Sequence, residues 1–442
     1  MIYGTSTASY QIEGAAFEDG KGLSVWDVFC ERPNVIKNSD TGNVSCDHYH
    51  KYKEDIKLLS ELGVTSYRFS ISWPRILPNG IGEVNPKGIN FYNNLINELL
   101  KYNIEPCVTL FHWDYPYELD KQGGWLNDKS SDWFEYYTEV VAKNFGDRVK
   151  MFITFNEPQV FIGHGHATGH HAPGKRLSMR ELAACSFNVL LSHGKAVKKL
   201  RELIPDCKVG YTSATTPAIP VNSTEKNIDA AYKEFFSFNK YYWFWNTAWW
   251  CDPVFKGTFP ESAEFSEISK FLPENYNDYL KIIYQPLDFC GINCYNGNYY
   301  DIDKNGNAVC VPHSSNASKT AIGWPVTPDA LYWVTKLMYE RYKLPIIITE
   351  NGMACHDTVS LDGCVHDFDR IDFLNRYLLG VEKAKSEGID IIGYYTWSFM
   401  DNFEWEEGYQ YRFGLTYINY ETGERIKKDS FLWYKKYINK YI

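Results

Sequence analysis

Two glutamates stand at the ends of apolar runs. "ITFNEP" leads through Asn156 to Glu157, and "KLPIIITENG" carries three isoleucines into Glu350. Ionised carboxylates are seldom fully buried without a partner, so each needs a reason to sit at a strand tip. Two carboxyls facing over a cleft can hydrolyse a glycoside. One, protonated, assists the leaving oxygen; the other, ionised, attacks the sugar or activates water. A separation of about 5–5.5 Å gives retention of configuration, and about 6.5–9.5 Å gives inversion. The bland alternative is a pair of solvated or ion-paired strand ends, with Arg68 of "YRFS" an obvious partner.

Other apolar runs also close on polar or aromatic groups. "TLFHWD" brings His112 and Trp113, "GINCY" brings Asn293 and Tyr295, and "YTWS" brings Trp397. One polar strand tip is ordinary; six at one mouth would make a concave site ringed by aromatic groups. What must position them is a set of eight β-like runs: Ile2–Tyr10, Val64–Ile71, Glu105–His112, Lys150–Asn156, Lys208–Ser213, Asp288–Tyr295, Leu344–Glu350 and Asp390–Trp397. Segments of helical period lie between them. One carries Phe91, Leu95, Ile96, Leu99 and Leu100; another carries Ile371, Leu374, Leu378, Val381 and Ala384. Each should lay one apolar face on a sheet. Eight β-then-α units without a break in composition imply an α/β protein, a single (β/α)8 barrel over residues 1–442, with its site at the C-terminal strand ends. The rival is a doubly wound open sheet. No G-x-G-x-x-G or phosphate-binding loop follows the early strands, which weakens the nucleotide-binding form of that rival.

Composition narrows the partners. The 442 residues carry a net charge of -10, a diffuse acidity that argues against nucleic acid and anionic membrane. No stretch reaches the ~18 apolar residues of a membrane span. The opening "MIYGTSTASYQIEG" lacks a basic segment followed by an apolar one, so no signal peptide is expected. Eleven cysteines without a C-x-x-C pair suggest reduced thiols and a cytoplasmic location. Aromatic residues make up 17% of the chain, enough to furnish stacking platforms for sugar faces besides a bulky core. Competing chemistry is weakly represented. "GHGHATGHH" gathers His164, His166, His170 and His171, but no Cys or carboxylate falls at familiar zinc spacing, and a solvated loop is the expected reading. No G-x-S-x-G supports a serine hydrolase.

In these residues the chain resembles a family 1 glycoside hydrolase, the β-glucosidase family. The resemblance runs in order through "TASYQIEGA", "YRFSISWPRILP", "HWDYP", "GGW", "TFNEP", "HAPG", "GINCY", "ITENG" and "YTWSFMDNFEWEEGYQYRFGL". It implies Glu157 as general acid/base and Glu350 as nucleophile of a retaining β-glucosidase, with Arg68 and Tyr295 keeping Glu350 ionised. Repulsion by ionised Glu350 would keep Glu157 protonated. Gln11, His112, Asn156 and an ionised Glu404 would hydrogen-bond the sugar, with Trp113 and Asn293 also in the site. Trp397 would stack beneath the ring, Trp405 and Phe413 would close the pocket, and Trp324 of "AIGWPV" would wall the leaving-group side.

The resemblance also separates substrates. Members that cleave 6-phosphorylated glycosides carry Ser in place of Glu404 and a nearby Lys–Tyr pair. Here the stretch reads "NFEWEEGYQYRFG", with no lysine. Thioglucoside specialists replace the acid/base Glu with Gln, whereas Glu157 is intact. The implied substrates are therefore unphosphorylated β-glucosides and short cello-oligosaccharides, with β-galactosides or β-fucosides as alternatives, and no cofactor or metal. A catalytically silent sugar-binding barrel is a reading from another class, disfavoured because both carboxylates are present. A homo-oligomer is left open. The chain starts inside its first strand motif, where members of that family usually carry several more residues.

Overall fold

The computed structural model describes residues 1–441. Eight strands form one closed sheet: β1 Ile2–Ser6, β2 Ser66–Ser70, β3 Glu105–Phe111, β4 Met151–Asn156, β5 Lys208–Ala214, β6 Phe289–Asn293, β7 Ile346–Asn351 and β8 Ile391–Trp397. Every neighbouring pair is parallel, and β1 pairs with β8 in the register Ile2 to Gly393 and Ser6 to Trp397, which closes the barrel. The strands are buried on both faces, which is why they read as apolar runs rather than alternating ones. Each expected run overlaps one barrel strand, with β5 and β7 running one residue further, to Ala214 and Asn351, and the closed sheet excludes the open-sheet rival.

The first run departs from expectation. β1 stops at Ser6, and Ser9–Ile12 forms a helical turn instead of continuing the strand. Side-chain bonds turn the chain there. Ser9 N donates to Ser70 Oγ at 2.8 Å, and Ser9 Oγ donates to Asp114 Oδ2 at 2.7 Å.

Strand residues alone fill the barrel interior. Cys107, Met151, Ile153, Phe289, Ile347 and Tyr395 pack as one cluster. Glycines make room for its rings: a Cβ on Gly210 would lie 2.2 Å from the Phe289 ring, and one on Gly4 would lie 2.5 Å from Tyr395. Outside, helices cover the sheet, including Pro86–Lys101, Ser130–Phe145, Met179–Leu203 and Phe368–Ser386. The expected faces of the first and last of these are buried, except that Leu100 is exposed and Ile371 half-buried at the helix margins. All eleven cysteines are free. Among the described residues no helix is long and apolar enough to cross a membrane.

The sheet is irregular near the two glutamates. The β4–β5 register shifts between Ile153 and Asn156, and the β6–β7 register shifts between Ile348 and Glu350. Such irregularities re-aim side chains at a strand end. Here they fall where the barrel opens.

Candidate active site

The C-terminal ends of the strands surround a cavity of about 750 Å³. Glu157, Glu350, Glu404, His112, Trp113, Asn293, Tyr295, Trp324, Trp397, Trp405 and Phe413 all line it. Arg68 is wholly buried beside this lining. Gln11 and Asn156, expected to bond the sugar, are also buried beside it.

Glu157 follows β4 and starts the short helix Pro158–Ile162. Its φ of 47° is left-handed, a conformation that costs a non-glycine residue on the order of 1–3 kcal/mol. Pro158 at the first helical position has no N–H to satisfy, so the sharp strand-to-helix turn suits it. Glu157 N donates to Thr212 O at 3.0 Å, tying the turn to β5.

Glu350 is held from two sides. Arg68 Nη1 donates to Oε1 at 2.6 Å and Tyr295 OH donates to Oε2 at 2.7 Å. Arg68 Nη2 also donates to Asn156 Oδ1 at 2.7 Å. Asn293 Nδ2 donates both to that oxygen, at 2.9 Å, and to Glu157 Oε1, at 2.8 Å. Thr349 Oγ1 fixes the Asn293 amide by donating to Oδ1 at 2.6 Å. One polar network thus joins the surroundings of both glutamates. Arg68 is the ion-pair partner that the bland reading required, yet Glu350 still faces the cavity.

Protons are distributed unequally over this network. The Glu157 carboxyl is pushed up to about 8, by burial first and by the charge of Glu350 second; its bond from Asn293 and the charge of Arg68 pull the other way. Burial also raises Glu350, but the charge of Arg68 and the hydrogen bonds from Tyr295 and Arg68 oppose it directly. Of the two carboxyls the guanidinium bonds only Glu350, so Glu157 is the better proton holder. Repulsion alone had been the sequence-based reason for a protonated Glu157; burial outranks it. Burial and the charges of Glu350 and Glu157 raise the Tyr295 phenol well above its ordinary range, which keeps it a donor.

Glu404 corrects a second expectation. Burial, then Glu350 and Glu157, push its carboxyl up to about 8, whereas an ionised acceptor had been expected. Its Oε2 is shielded and has no hydrogen-bond partner. Of Glu157, Glu350 and Glu404 only Glu350 bonds a guanidinium, so the other two hold a proton more readily.

His112 accepts from Asn156 Nδ2 at Nε2, 3.0 Å away, and its Nδ1 has no partner. Burial, then Arg68, holds the ring well below the ordinary imidazole range, so it is neutral. The Gln11 amide donates to Phe403 O at 2.8 Å and Asn402 Oδ1 at 3.0 Å, leaving Oε1 unpartnered. Trp113 Nε1 donates to Asn156 O at 2.9 Å, and its ring lies 4.4 Å from Trp405. Tyr295, Trp324 and Phe413 form a second aromatic group, with Tyr295 and Trp324 5.3 Å apart.

The histidine-rich stretch is not a solvated loop. Gly163–Thr168 is a π-helical turn, His166 and His171 are buried, and His164 and His171 line the cavity. Among the described residues no group of three or more His, Cys, Asp or Glu side chains is placed to share a metal ion. Glu234, Trp245, Glu406 and Glu407 also line the cavity and were not singled out by sequence. The run "FEWEEG" held a signal for Glu406 and Glu407; nothing in the sequence marks Glu234 or Trp245.

Comparison with known proteins agrees with this geometry. A family model described as glycosyl hydrolase family 1 matches residues 1–441. Beta-glucosidase A of Thermotoga maritima is 45% identical over 440 residues, which cover 99% of this chain and 96% of that protein. The 1,4-beta-D-glucan glucohydrolase of Thermotoga neapolitana is 44% identical, over 99% of this chain and 97% of its own. The structure of the Thermotoga maritima beta-glucosidase in complex with glucoimidazole superposes with a TM-score of 0.90 at 44% identity, covering 99% of this chain and 97% of that one. The chain belongs to glycosyl hydrolase family 1 and is an O-glycoside hydrolase.

Proposed function

We propose that this enzyme is a retaining β-glucosidase that releases terminal glucosyl residues from unphosphorylated β-glucosides and short cello-oligosaccharides. The observation that carries the reading is the asymmetry of the two acids: Arg68 and Tyr295 both bond Glu350, while Glu157, raised to about 8, contacts no cation. Glu350 attacks the anomeric carbon as the glycosidic C–O bond breaks, and Glu157 gives its proton to the leaving oxygen. The sugar is then an ester of Glu350, whose negative charge is gone. Losing that charge lowers the pKa of Glu157, which takes a proton from water as the water attacks the anomeric carbon and frees Glu350.

Asn293 holds Glu157 in place, and Arg68 and Tyr295 keep Glu350 ionised. Gln11, His112, Asn156 and Glu404 recognise the glucosyl hydroxyls; Trp113, Trp397, Trp405 and Phe413 pack about the ring, and Trp324 faces the leaving group. Among the described residues no lysine or arginine lines the cavity, so a phosphate dianion on the sugar would face its carboxyls with no cation in the lining to offset them. The whole chain acts as one catalytic domain needing no cofactor, and its free cysteines suit a reducing cytoplasm. The test is the anomer first released from an aryl β-glucoside, read by proton NMR before mutarotation. β-Glucose is expected; α-glucose would replace the covalent ester with direct attack by water.

A further inference from the structure

The cavity also carries acids that the chemistry of Glu157 and Glu350 does not use. Glu234, from the helix Glu225–Phe235, lines it, as do Glu406 and Glu407 of the turn Trp405–Glu407 after β8. All three are half-buried. Neither Glu234 nor Glu406 has a hydrogen-bonded or ion-paired partner; burial raises both carboxyls. Lys37 and His170 act on Glu406 by charge, but from outside the lining.

An independent feature lines the same cavity. His171 is 8% exposed, lines the cavity, and has no hydrogen-bond partner for its Nδ1. Its ring lies 4.8 Å from that of His164, whose Nδ1 is likewise unpartnered, and His164 packs edge-on to Trp245 at 4.7 Å. Burial, then neighbouring histidines, holds His171 well below the ordinary imidazole range, and His164 at about 4, so both rings are neutral near pH 7. A neutral imidazole has one nitrogen that accepts from N–H. Unpaired carboxyls, a free imidazole acceptor and indole faces are the groups that hold an ammonium. A carboxylate or phosphate in their place would meet repulsion with no lysine or arginine in the lining to offset it.

We propose that the outer part of this cavity is a binding site for an organic cation, which selects β-glucosides whose leaving group carries a protonated amine and rejects those bearing a carboxylate. The inference rests on the β-glucosidase reading of the same pocket and adds the charge class of the leaving group.

Three matched substrates test it: the 4-(aminomethyl)phenyl, 4-(hydroxymethyl)phenyl and 4-(carboxymethyl)phenyl β-D-glucosides. A methylene insulates each leaving oxygen from the substituent. For wild-type enzyme at low salt, kcat/KM for the ammonium substrate should exceed that for the carboxylate by roughly tenfold or more, chiefly through KM, and the ratio should shrink as salt screens it. In Glu234→Gln/Glu406→Gln the ratio should fall several-fold. Inhibition of the neutral substrate's hydrolysis gives a check that needs no variant: benzylamine should inhibit wild type more strongly than phenylacetate. A wild-type ratio near one, equal inhibition by the two ions, or a ratio unaltered in the folded double variant overturns the cation site. If the neutral glucoside is hydrolysed without charge preference, the β-glucosidase reading stands and only the cation site falls. If none of the three glucosides is hydrolysed, both fall.

Discussion

Arg68 Nη1 lies 2.6 Å from Glu350 Oε1, and the two side chains come from strands β2 and β7 of the closed barrel. Both are almost entirely buried, at 1% and 4% exposure. Removing one partner of such a pair leaves an uncompensated buried charge, which costs about 3–5 kcal/mol. Arg68→Met should therefore lower stability by several kcal/mol and also raise the Glu350 pKa, cutting kcat/KM by orders of magnitude. Urea unfolding and steady-state kinetics on one preparation check both effects. A stable Arg68→Met enzyme with near wild-type kcat/KM would remove Arg68 from the account.

The two glutamates should fail in different ways. Glu350→Ala should lose roughly 10⁴-fold or more in turnover of every glycoside, since no nucleophile remains. Glu157→Gln should still attack an activated aryl glucoside, whose leaving group needs little protonation, but then stall at the ester. Stopped-flow absorbance should show a burst of phenol followed by slow turnover. A burst in Glu350→Ala, or none in Glu157→Gln, would exchange or cancel the assigned roles.

The pH profile follows from the raised Glu157. Its protonated form is the working acid, so kcat/KM should fall as pH rises through about 8. The acid limb should lie above the ordinary carboxyl range, because burial raises Glu350 as well. Asn293 Nδ2 donates to Glu157 at 2.8 Å and lowers its pKa. Asn293→Ala should thus move the basic limb to higher pH while reducing kcat. An unshifted basic limb would mean that this hydrogen bond does not tune the acid.

Glu404 links pH to stability. Its folded pKa, about 8, lies above the ordinary 4.5. Across that window the unfolded chain releases a proton that the folded chain keeps, so this group's contribution falls as pH rises. Glu404→Gln removes the titration. The melting temperature of the variant minus that of wild type should therefore increase between pH 5 and pH 8, read by calorimetry. A difference that decreases with pH would show that Glu404 ionises easily in the folded protein.

Gly210 tests the barrel interior. A Cβ there would sit 2.2 Å from the Phe289 ring, so Gly210→Ala forces a repacking of strand-borne side chains that typically costs about 1–3 kcal/mol. Denaturant unfolding should report that loss. An unchanged midpoint would show that the ring has room to move.

What the sequence determined on its own was local and repetitive. A strand buried on both faces must be apolar along its length, so β7 shows as "III" and β4 as "MFITF", and the helices between them show their period of three and four. The runs, their order and the acids at their tips follow from those patterns and from the motif resemblance. Local turns were less legible: Ser9 ends β1 through bonds to Ser70 and Asp114, residues far along the chain. Tertiary structure alone decided which distant groups share the cavity. It brought Glu234 and Trp245 into the lining and buried His171 with no partner for its Nδ1. It also made burial, rather than repulsion, the first cause of the Glu157 shift. Separation and solvent exclusion are properties of the closed barrel, and spacing along the chain does not encode either.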